Sequence, residues 1–95
     1  MPTYIYISTL TDEGAKTIVS NPQRVLDVNQ EVQGMGVKVL AQYAVLGPFD
    51  FVTVVEAPDN ETAARVSAAI SARGSVKLQT MAAIPVEQFV SGLRK

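Results

Sequence analysis

"VKVLAQYAVLGPFDFVTVVEA", residues 37–57, consists of two apolar, β-branched runs separated by Gly47-Pro48. β-Branched and aromatic side chains fit a pleated, half-buried surface, and Gly-Pro marks a turn. Residues 37–46 and 49–57 therefore read as two antiparallel strands of one hairpin. Upstream, "TYIYISTL" (3–10) has the same composition, and its alternation puts Ile5 and Ile7 on one side and Tyr4, Tyr6 and Ser8 on the other. Downstream, "SVKLQTMAAI" (75–84) supplies a fourth strand.

The segments between carry helix signals. In "TDEGAKTIV", Thr11 is a candidate N-cap, with Asp12 and Glu13 in the first turn. The pattern breaks at "SNPQ", where Asn21 suits a cap and Pro22 the first position of a new helix. That helix runs to about Met35 with Val25, Val28, Val32 and Met35 on one stripe, and Gly34 and Gly36 stop it. "PDNETAARVSAAISARG" is capped by Asp59, ends at Gly74, and buries Ala63, Val66 and Ile70. "PVEQFVSGLRK" reads as a short terminal helix. The order β-α-β-β-α-β over a single domain, residues 1–95, predicts an α+β, ferredoxin-like fold with a four-stranded antiparallel sheet.

Strand parity raises a problem of burial. Phe49, Phe51 and Val55 oppose Val52 and Val54, and Val76, Leu78, Ala82 and Ile84 oppose Met81 and Ala83. Two helices cover one face of such a sheet, yet both faces are apolar. A second copy packed sheet to sheet resolves this, so a homodimer or higher oligomer is expected.

Composition excludes several kinds of chemistry. The chain is 47% hydrophobic and 18% charged, with net charge −1 and no Cys, His or Trp. The basic residues are scattered singly apart from Arg94-Lys95, which leaves no footprint for nucleic acid or a membrane surface. No thiolate or imidazole is available for catalysis or for binding a transition metal. The N-terminus lacks a signal-peptide pattern, no apolar run approaches a membrane span, and a cytoplasmic location is expected. "GMG" (34–36) lacks the context of a dinucleotide site, and no metal or cofactor is expected.

Four residues stand out as candidates for ligand binding: Tyr6, Tyr43, Asp50 and Phe51. Tyr4, Tyr6 and Tyr43 suit a pocket or interface on the open sheet face, where phenols combine an apolar ring with a polar tip. Asp50 has two readings: a general base beside an apolar pocket, or a turn residue bonded to local backbone N–H groups. The second is the simpler. No residue is assigned a catalytic role.

"TDEGAK", "NPQRV", "LGPFDFVTVVEAPDNETAA" and "GSVKLQTMAAIPVEQF" together resemble the GYD family of small bacterial and archaeal proteins. The resemblance extends from residue 3 to about residue 89. It implies a ferredoxin-like domain associated as a dimeric α/β-barrel, and no established general activity. Phe49 stands where the tyrosine of the family motif is expected, so a mechanism built on that hydroxyl is not available here. The function expected is a non-enzymatic, homo-oligomeric module that binds a small apolar or aromatic molecule or a protein. The alternative is a cofactor-free isomerase or monooxygenase with its cavity between sheet and helices, which rests on fold analogy.

Overall fold

A computed structural model describes residues 1–94, and Lys95 lies outside them. The element order is β1 (Thr3–Leu10), α1 (Asp12–Ser20), α2 (Arg24–Gly34), β2 (Lys38–Ala44), β3 (Phe51–Glu56), α3 (Asn60–Ser71), β4 (Val76–Ala83) and α4 (Val86–Leu93). The strands form one open sheet in the order β2-β3-β1-β4, and every pairing is antiparallel. This is the α+β, ferredoxin-like arrangement the hairpin and its flanking strands predict.

The helix starts follow the predicted chemistry at two of three places. The Thr11 hydroxyl accepts from the Gly14 N–H, and the Asp59 carboxylate accepts from the Thr62 N–H. Asn21 does not cap α2. The N-cap position is Gln23, whose side chain does not cap the helix, and the Asn21 carbonyl accepts from the Arg24 N–H in a preceding turn. Pro22 accordingly stands in that turn, outside the helix.

The hairpin also differs from its prediction. Its strands end at Ala44 and begin at Phe51, so Phe49 and Asp50 belong to the connection. The Val45 N–H donates to the Asp50 carbonyl at 2.9 Å and closes the loop, while the Asp50 N–H donates to the Ser8 carbonyl at 2.9 Å. Asp50 thus bonds the β2 side through its carbonyl and β1 through its N–H. Gly47, at φ 113°, turns the chain in a region that β-carbon-bearing residues avoid.

Registry decides which face each strand residue occupies. Tyr4, Tyr6 and Ser8 lie opposite Val55, Thr53 and Phe51 on one side and Ala82, Thr80 and Leu78 on the other. This set faces the helices. Tyr4, Tyr6, Val32, Val37, Val55, Ala57, Ala63, Val66 and Ile70 form the core, with Val28, Met35, Val39, Val76 and Leu78 packed against it. The expectation that Tyr4 and Tyr6 lie on the open face is corrected: Tyr6 is only 4% exposed. Burial of a tyrosine requires a partner for its hydroxyl, and α3 supplies both partners. Tyr6 donates to the Ala63 carbonyl at 2.9 Å, and Tyr4 to the Asn60 Oδ1 at 2.6 Å.

Candidate functional site

Among the described residues no element is packed as a layer over the opposite face of the sheet. By registry it carries Ile5 and Ile7 from β1, Val52 and Val54 from β3, Tyr43 from β2 and Met81 from β4. Tyr43 is 61% exposed and Met81 44%. Glu56, Lys38 and Lys77 occupy the margins of this apolar field. A break in registry between Val39 and Ala41 leaves Leu40 unpaired and exposed on the β2 edge.

A second apolar surface is α4. Val86, Phe89, Val90 and Leu93 recur at i, i+3, i+4 and i+7, and each is exposed. The helix contributes no buried residue to the domain. Its stripe has the spacing of a helix that lies in a groove, and none of its described residues is buried.

The third feature is a cavity of about 130 Å³ between the sheet and α1, α2 and α3. Its wall is mainly apolar, with Val25, Val28, Val32, Phe51, Val66 and Ile70 among the lining residues. It exists because α1 packs closely only at its start. The Thr11 N–H donates to the Ser75 carbonyl, its hydroxyl donates to the Gly74 carbonyl at 2.7 Å, and Gly14 lies directly against the Ser75 backbone. Ile18, Val25 and Val28 farther on are only half-buried.

Polar groups enter the cavity at defined positions. Asn29 donates to the Gln42 Oε1 at 2.7 Å, Gln42 donates to the Thr53 hydroxyl at 3.1 Å, and Ser8 is a neighbouring lining residue. Arg24 and Arg73 line it as well, and both are partly exposed, which marks the mouth. Each guanidinium donates to a different oxygen of Glu31. The hydrogen bond from Arg73, followed by that from Arg24, holds the Glu31 carboxyl below its ordinary value.

The four residues singled out from sequence do not form one site. Tyr6 and Phe51 line the cavity, Tyr43 is on the opposite face, and Asp50 is at neither. The Asp50 Oδ2 accepts from the Leu10 N–H at 2.8 Å. The partner lies on another strand, not in the local turn, so Asp50 ties the end of β1 to the start of β3. Arg24, Asn29, Gln42 and Arg73 were not legible as a site. They come from α2, β2 and the turn after α3, and no spacing in the chain links them. Among the described residues no group of three or more acidic residues is arranged to hold a metal, and no helix is long and apolar enough to cross a membrane.

Comparison with known proteins covers nearly the whole chain. The model of the GYD domain matches residues 4–92. A Thermus thermophilus protein named "glutamine synthetase and cystathionine beta-lyase binding protein" is 56% identical over 95 residues, spanning 99% of this chain and 100% of its own. A crystal structure of a Thermus thermophilus protein aligns over 90% of this chain and 95% of its own, with a TM-score of 0.58 at 22% identity, a likeness of fold.

Proposed function

The chain belongs to the GYD domain family, and from that premise we propose that it is a non-catalytic, self-associating module that binds other proteins. The observation that carries this is the uncovered sheet face, apolar from Ile5 and Ile7 through Val52 and Val54 to Tyr43 and Met81. A second copy is its occupant. Sheet-on-sheet packing buries two identical apolar faces at once, and no described element of the chain does so.

The relative named for binding glutamine synthetase and cystathionine β-lyase supports the protein-binding half of the proposal. The stripe Val86, Phe89, Val90 and Leu93 on α4 is the element assigned to such a partner, since none of its residues is buried in the domain. A cytoplasmic setting accords with a chain that contains no cysteine.

A catalytic role has less support. Asp50 is engaged by the Leu10 N–H and does not line the cavity, whose uncharged polar groups include Ser8, Asn29, Gln42 and Thr53. None of these is a general base near neutral pH.

Titration of purified glutamine synthetase and cystathionine β-lyase with this chain, followed by sedimentation, tests the reading. A complex with either enzyme is expected, weakened by Phe89→Glu while the chain's own oligomer persists. Absence of a complex with both enzymes rejects these partners. Dissociation of the chain's oligomer by Phe89→Glu reassigns α4 to the self-interface.

A further inference from the structure

The cavity beneath the helices is separate from both docking surfaces, and its chemistry is specific. We propose that it binds a compact apolar molecule bearing one carboxylate. The body lies among Val25, Val28, Val32 and Phe51, and the carboxylate meets Arg24 and Arg73 at the mouth.

Size and lining set the body of the ligand. A space of about 130 Å³ with mainly apolar walls accommodates a single ring or a short branched chain. The bonded sequence Asn29–Gln42–Thr53 crosses one wall and supplies fixed amide and hydroxyl groups that orient what enters.

Charge sets its head group. Arg24 and Arg73 are the charged residues of the lining, and no carboxylate accompanies them there. Both bond Glu31, which is not a lining residue, so two positive charges share one negative charge. One positive charge remains, with most of the guanidinium N–H donors still free. A carboxylate matches that single charge, and guanidinium is the side chain best shaped to hold it. A neutral hydrocarbon leaves the charge unused, and a phosphate dianion exceeds it.

Benzoate and benzyl alcohol are suitable probes, because they share a ring and differ in charge. Binding is read from valine methyl resonances of the full chain during titration. Benzoate is expected to shift the methyl signals of Val25 and Val28 and to raise Tm. Arg73→Gln or Arg24→Gln should weaken benzoate about tenfold, the effect of one lost charge-assisted bond, and leave benzyl alcohol unchanged. Glu31→Gln frees both guanidinium groups and should tighten benzoate. Val28→Phe fills the space and should abolish binding of both probes.

The proposal is overturned if benzoate leaves these methyl signals unmoved up to its solubility limit. It is equally overturned if both arginine variants bind benzoate as the parent does. The arginines are partly exposed, so this second arm stands even where Val28→Phe fails to fold.

Discussion

Asp50, just before β3, bonds β1 twice and the residue after β2 once, using two atoms of its main chain and one of its side chain. Asp50→Ala strands the Leu10 N–H and should cost about 1–3 kcal/mol in chemical denaturation. Asp50→Asn keeps an acceptor oxygen and should cost less, about 1 kcal/mol. A larger loss for Asn than for Ala would contradict this role. Gly14 is the other residue whose place is exacting. A β-carbon there would overlap the Ser75 carbonyl, so Gly14→Ala should destabilise by about 1–3 kcal/mol, although alanine is the better helix former. Thermal unfolding should show this as a Tm lowered by about 4–8 °C for each kcal/mol. Asp50 was legible as structural from its position after Gly47-Pro48, but its partner was not, because Leu10 is brought to it only by strand pairing. Gly14 was not legible as exacting, because Ser75, the residue it lies against, is distant in the chain.

At the scale of elements, the helix caps connect sequence to pH dependence. The backbone N–H of Thr62 holds the Asp59 carboxyl below its ordinary value of 3.8, and the arginines hold Glu31 below 4.5. A carboxylate with a lowered native pKa binds fewer protons folded than unfolded within that window. Its stabilisation is complete above the ordinary value and is lost as pH falls through the native one. Stability should therefore decline on acidification below about pH 4.5, and Asp59→Ala should flatten part of that decline. Tyr6 acts in the opposite direction. Burial, then the neighbouring Tyr4, raises its pKa above 10.0, so its contribution is complete below pH 10 and is lost as pH rises beyond it. Tyr6→Phe should reduce the alkaline loss, measured as the unfolding midpoint against pH. Thr11 and Asp59 were readable as caps because capping is local chemistry. Asn21 failed as a cap because bonds from the Arg24 N–H to the Asn21 carbonyl and from the Val25 N–H to the Pro22 carbonyl make a tight turn there, which runs into α2 through Gln23, already in helical backbone geometry.

For the whole molecule, the question is what covers the second sheet face. Tyr43→Glu and Met81→Glu place charge on exposed positions of that face and spare the monomer core. Sedimentation should show the parent as an oligomer and the double variant as a monomer with an unchanged unfolding midpoint. A parent that sediments as a monomer at micromolar concentration contradicts self-association. The molecule measures 52 × 29 × 19 Å, and its uncovered surfaces, the sheet face and the α4 stripe, are distinct targets for mutation.

The residues alone determined the element order, the helix caps at Thr11 and Asp59, and an apolar pattern on both sheet faces, because periodicity and capping are properties of neighbouring residues. They also separated Tyr4 and Tyr6 from Ile5 and Ile7. They did not determine which pair faces the helices, since either pair is apolar enough to be buried. Tertiary structure decided that: the tyrosines face α3, where Asn60 and the Ala63 carbonyl satisfy their hydroxyls. It also assembled Arg24, Arg73 and the Asn29–Gln42–Thr53 series around one cavity. Such a site has no period and no motif, because it exists only where distant segments meet.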